Sequence, residues 1–157
     1  MVRVVIDRIR AWGGHVNVRA RHRTTIEITR DDYLTPRGGD CIIGIKADKG
    51  LSGISPELKE IIKKNGSIVI VMFVVDDYLD YVVGMGSSKL TLGNDNKLII
   101  RRSNYIDDAT LMIRANKAAI DIDRRLIDRL KKESPPLTVY IIGVDLEQDR
   151  TVEGDGT

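Results

Sequence analysis

Runs of apolar residues four to eight long, broken by polar and glycine-rich turns, recur along the chain and read mainly as strands. Val4 to Ala11 is the first, Thr24 to Thr29 the second and Cys41 to Ala47 the third. In the third, alternation puts Cys41, Ile43, Ile45 and Ala47 on one face, with Lys46 and Asp48 on the other. The period then changes. Ser55 is a good N-cap, Pro56 suits the first helical position, and Leu58, Ile61 and Ile62 form an apolar stripe. Lys63 and Lys64 suit the negative end of a short helix, and Asn65-Gly66 stops it. A closing strand, Ile68 to Val75, ends at Asp76-Asp77, which predicts a hairpin.

The same order of elements returns. Lys46-Ala47-Asp48-Lys49 reappears 68 residues later as Arg114-Ala115-Asn116-Lys117. At that offset Ile45 meets Ile113, Ile54 meets Ile122, Leu58 meets Leu126, and Lys63-Lys64 meets Lys131-Lys132. The second copy predicts strands at Tyr81 to Met85, Lys89 to Leu92, Thr110 to Ala115 and Leu137 to Val144. Its helix is capped by Asp123 and ended by Ser134-Pro135-Pro136. Self-similarity that keeps core and turn residue types suggests an internal duplication. The expected fold is mostly β within the α+β class. A pseudo-twofold pair of β-β-β-α-β units, about 4–75 and 78–146, forms an antiparallel sandwich or barrel with two short helices. One domain over 1–147 and a flexible polar tail over 148–157 are expected.

Composition narrows the class. A length of 157 residues is that of one domain. With 42% hydrophobic and 31% charged residues, the chain is expected to be soluble and folded. The longest apolar run, Ile68 to Val75, is too short to span a bilayer, and the first residues lack the apolar stretch of a signal peptide. The lone Cys41 forms no internal disulfide, so a reducing, cytoplasmic compartment is expected. Net charge is only +2, but its distribution is uneven. Between Met1 and Arg37 stand eight arginines and no lysine, against four acids. A guanidinium's rigid fork of donors suits carboxylate or phosphate.

The duplication offers an internal control. What both copies share the fold needs, and what one copy alone carries is the better functional candidate. The shared Lys46-to-Lys49 turn therefore reads as structural, with a symmetric anion site of Lys46, Lys49, Arg114 and Lys117 as the alternative. The unshared polar residues fall between Gly13 and Thr25 and between Leu34 and Cys41. If the first stretch is extended, Asn17, Arg19, Arg21, Arg23, Thr25 and Glu27 share one face and His22 points inward. Arg37-Gly38-Gly39 forms a turn whose amides could cup an anion, and Cys41 reads as a buried, inert thiol. There is no phosphate loop, Cys-x-x-Cys pair, His-Glu-x-x-His or Gly-x-Ser-x-Gly.

The stretches Gly14 to Thr29, Leu34 to Gly44, Ala47-Asp48-Lys49 and Thr110 to Ala115 together resemble an archaeal family, domain of unknown function 371. The resemblance spans about residues 5–145. It implies an archaeal source and a mostly β, sandwich-like domain, and no activity. It carries the family's polar motif onto His15, Asn17, Arg19, His22, Thr24, Thr25, Glu27, Asp40, Cys41, Asp48 and Lys49. Gly38-Gly39 stands where one glycine is expected, and Gly86-Ser87-Ser88 where Gly-His-Pro is expected.

The leading expectation is a binding protein for a phosphate-bearing small molecule or RNA. Arg19, Arg23, Arg37 and Lys49 would hold phosphate beside His15 and Thr25. A metal-assisted hydrolase using His15, His22, Asp40 and Asp48 is the alternative, and an interaction subunit with an exposed edge at Ile68 to Val75 is the third reading. The residues name no cofactor and no oligomeric state.

Overall fold

A computed structural model describes residues 1–13, 17–36, 38–133 and 135–146. The expected tail, His15 and Arg37 lie outside the described residues. The first unit contains β1 (Arg3–Trp12), β2 (Thr25–Thr29), β3 (Ile42–Gly44), α1 (Pro56–Ile62) and β4 (Ile68–Val75). The second contains β5 (Tyr78–Met85), β6 (Lys97–Arg101), β7 (Thr110–Met112), α2 (Arg124–Leu130) and β8 (Pro136–Asp145). They build two four-stranded sheets, ordered β1-β8-β4-β5 and β3-β2-β6-β7. No closed barrel forms. The sheets face each other across the core and touch at two corners, through the bridges Trp12–Ile45 and Met85–Ile113.

Each unit depends on the other. β1 pairs along its full length with β8, and β2 pairs with β6. Corresponding contacts recur in both units. The Asp7 carboxylate accepts from Lys49 Nζ at 2.9 Å and from the Ser55 amide at 2.8 Å. Asp80 accepts from Lys117 Nζ at 2.6 Å and from the Asp123 amide at 2.8 Å. The Asp48 side chain accepts from the Arg10 amide, as Asn116 does from the Val83 amide. Lys46 and Arg114 both take positive φ, 53° and 52°. These turns fasten each opening strand to the entry of its helix. Ser55 Oγ accepts from the Leu58 amide and Asp123 from the Arg125 amide, so both expected caps are in place.

Three expectations are corrected. Lys89 to Leu92 is not a strand. Leu90 and Leu92 are buried, but they lie in a loop where Leu92 takes φ 54°, and the strand that pairs with Thr25–Thr29 is Lys97–Arg101. Residues 17–24 are not extended as a strand, since Ala20 turns the chain with φ 53°. Ile68–Val75 is not an edge, because β8 and β5 flank it.

One face of the first sheet meets the core through residues such as Ile9, Val71, Val139 and Ile141. The helices also approach from this inner side, where Leu58 and Ile61 of α1 press on Gly143. The other face is apolar too. Across the four strands its rows read Val4, Val144, Ile68, Met85 and then Ile6, Ile142, Ile70, Val83. Ile6 is 59% exposed.

Candidate functional site

The candidate residues among 17–25, 34–36 and 38–41 do come together, because these segments lie against each other. The amides of Arg19 and Ala20 donate to the Gly39 carbonyl, and that of His22 to the Asp40 carbonyl. A Cβ on Gly39 would sit 1.5 Å from the Asn17 carbonyl oxygen, whereas one on Gly38 would meet nothing closer than 3.4 Å. The double glycine therefore contains one obligatory glycine. Gly39→Ala is expected to cost about 2 kcal/mol in chemical denaturation, limited by how far the loop can shift, and Gly38→Ala to fall within about 0.5 kcal/mol of the parent.

The polar side chains here are bonded to one another. Asn17 Nδ2 donates to the Leu34 carbonyl at 2.8 Å. Arg19 Nε donates to Asp40 Oδ1 at 2.9 Å, and its Nη2 to the Pro36 carbonyl. The Arg19 bond holds Asp40 below the usual carboxylate range. His22 Nδ1 receives the amides of Thr24 and Thr25 at 3.2 and 3.1 Å, which places the neutral ring's proton on Nε2. The Thr25 hydroxyl lies 3.0 Å from the same nitrogen, and Arg23 is exposed. These groups brace a turn with the donors and acceptors that a ligand would need.

Asp48 and Lys49 are held elsewhere, on β1 and at the start of the loop into α1. Lys49 and Lys117 are each committed to a carboxylate, and Arg114 Nε donates to Asn104. The alternative symmetric anion site is therefore not assembled. Among the described residues, no group of three His, Cys, Asp or Glu is placed to hold a metal ion.

Cys41 lies beside Glu27 on the outer side of the second sheet. Burial, reinforced by the Glu27 carboxylate, raises its thiol pKa to about 11. Its thiolate fraction at neutral pH is on the order of one in ten thousand. Iodoacetamide is expected to label it very slowly at pH 7, with the rate rising about tenfold per pH unit towards pH 11. Mass spectrometry after a timed quench reads this rate, and rapid labelling at pH 7 would contradict the assignment.

A different set of cations is left free. Alternation along β1 sends Arg8, Arg10 and Trp12 outward, and the Trp12–Ile45 bridge brings Lys46 beside them. With Asp48, Pro136 and Thr138 they line a groove of about 590 Å³, within the range of small-molecule sites. The Arg8 and Arg10 guanidiniums and the Lys46 ammonium make no hydrogen bond or ion pair among the described residues. Arg19, Arg101, Arg124, Arg125 and Arg129 all do. Trp12 is 43% exposed, whereas Phe73 is fully buried.

The second unit has no equivalent groove chemistry. Tyr81, Val83 and Met85 occupy the positions of Arg8, Arg10 and Trp12. The sequence offers Lys46 only for the alternative anion site and does not single out Arg8, Arg10 or Trp12. The signal that could have found them is two arginines and the chain's one tryptophan at alternate positions of a single strand.

The family model of a domain of unknown function (DUF371) matches residues 9–144. A protein of Methanocaldococcus jannaschii, described as uncharacterised, is 48% identical over 119 residues, which is 76% of this chain and 87% of that protein. The match takes in most of both units, Gly39 and the Asp80 carboxylate with its partners, and the chain belongs to the DUF371 family.

Proposed function

We propose that the chain binds a phosphate-bearing ligand, a nucleotide or the end of an RNA strand, in the groove of Arg8, Arg10, Trp12 and Lys46. The observation that carries this reading is the convergence of three cations, unpartnered among the described residues, beside one exposed indole. Phosphate oxygens would accept charge-assisted hydrogen bonds from the guanidiniums and the ammonium. The Trp12 ring offers a face on which a base can stack. The Asp48 side chain accepts from the Arg10 amide, and the groove residues keep an excess of positive charge.

The recurrent contacts at Asp7 and Asp80 support reading the two units as a duplication, in which the first kept or acquired the groove. The phosphate-binding role expected of Arg19 moves to Arg8 and Arg10, since Arg19 is already paired.

Trp12 is the chain's only tryptophan, so its fluorescence reports on the groove directly. Titration with nucleoside mono- and triphosphates and short RNA at low salt should change that signal saturably. Added salt should weaken the response. Flat titrations, with no heat by calorimetry at millimolar ligand, would dispose of the proposal.

A further inference from the structure

The outer face of the first sheet is an apolar surface that no described segment covers. Four rows of side chains cross it, and only Arg8, Arg10 and Thr138, gathered at the groove corner, interrupt its apolar character. Ile6, Leu79 and Tyr81 on its edge strands are 59%, 50% and 50% exposed. Ile70 and Ile142 on its central strands are half-buried. β4 is apolar at every position, the pattern of a strand buried on both sides, yet the core covers only one side.

We infer that this face is the interface of a homodimer, in which two copies stack sheet on sheet about a twofold axis. Size supports the choice of a second copy. Four strands at ~4.8 Å spacing and eight residues at ~3.3 Å rise give a flat projection of ~500 Å². Two such faces together make ~1,000 Å², about the lower limit of a specific interface.

Composition supports it as well. A twofold interface must be complementary to itself. The rows through Ile6 and Val4 carry no charge, so meeting a copy of themselves buries no unpaired ion. Sheets stacked in this manner meet at about 30° and ~10 Å, as inside a sandwich. The groove lies at the corner of the face, on the rim of such a dimer, so the inference does not depend on what the groove binds.

Sedimentation velocity on the full chain tests it. A mass of about 35 kDa is expected, twice the 17.6 kDa of one copy. Ile142→Lys, at the centre of the face, should sediment as a monomer at micromolar concentration. Ile6→Lys alters a residue that is already exposed, so it should fold as the parent does by circular dichroism while weakening the dimer at least tenfold. A parent chain that stays at 17.6 kDa up to about 100 µM overturns the proposal, whether its own last residues or a foreign protein then occupies the face. A dimer that survives both substitutions overturns it too, by placing the contact elsewhere.

Discussion

Replacing Arg8 and Arg10 together with alanine should weaken binding of a phosphate-bearing ligand by about 100-fold or more, while the fold is retained. Each guanidinium supplies a charge-assisted contact of roughly 1.5–3 kcal/mol, and about 1.4 kcal/mol corresponds to a tenfold change in affinity. Both side chains are exposed and make no bond that the fold would miss. Their loss should therefore leave the denaturation midpoint within about 0.5 kcal/mol of the parent. With single-stranded RNA as ligand, the slope of log affinity against log salt should also fall by about 0.7 for each cation removed. Arg19→Ala is the contrasting variant. Its guanidinium is already engaged by Asp40 and Pro36, so its removal should loosen the loop and leave affinity in the groove nearly unchanged. Fluorescence titration of Trp12 in the three proteins separates the cases. Equal affinities for the parent and the double variant would remove the groove from consideration.

Asp80→Ala should destabilise the domain by about 3 kcal/mol, the largest stability loss expected from any exchange of a polar residue discussed above. The Asp80 carboxylate is nearly buried and takes three donors: Lys117 Nζ, the Asp123 amide and the Tyr81 amide. Alanine leaves all three without their acceptor and frees the entry of α2 from β5. Removing one partner of a buried pair costs about 3–5 kcal/mol, and the partial exposure of Lys117 moves the expectation to the lower end. Asp7→Ala removes the matching lock in a more exposed setting and should cost less. Urea denaturation followed by circular dichroism gives both values. An Asp80→Ala loss below about 1 kcal/mol would mean that the lock does not hold the helix to the sheet.

How much of this was legible depended on how local the governing interactions were. Ser55-Pro56 announced α1 because capping involves neighbours in sequence, and the bounds of β4 came directly from an unbroken apolar run. The likeness of the Asp48 and Asn116 turns was visible because such residues answer to a local backbone shape. Lys89 to Leu92 misled for the complementary reason. It alternates as Thr25 to Ile28 does, but the choice of strand was made by pairing across the two units, which no local pattern records. The surroundings of the candidate residues were hidden for the same reason. The Arg19 partner is set by how 17–22 crosses the 34–41 loop, and Lys46 joins Arg8 and Arg10 only through the bridge between Trp12 and Ile45.

The full-length pairing of β1 with β8 also governs the order of events during synthesis. Of the eight strands described, the first to be synthesised has its principal partner in the last, with Arg3 opposite Asp145. Until β8 emerges, the first sheet cannot join β1 to β4, and apolar strands such as β4 must wait in solvent or in the care of a chaperone. Contacts so distant along the chain make for slow folding. A circular permutant opened in the hairpin at Asp76-Asp77 and linked from Asp145 to Arg3 would give β1 and β8 to the nascent chain as near neighbours.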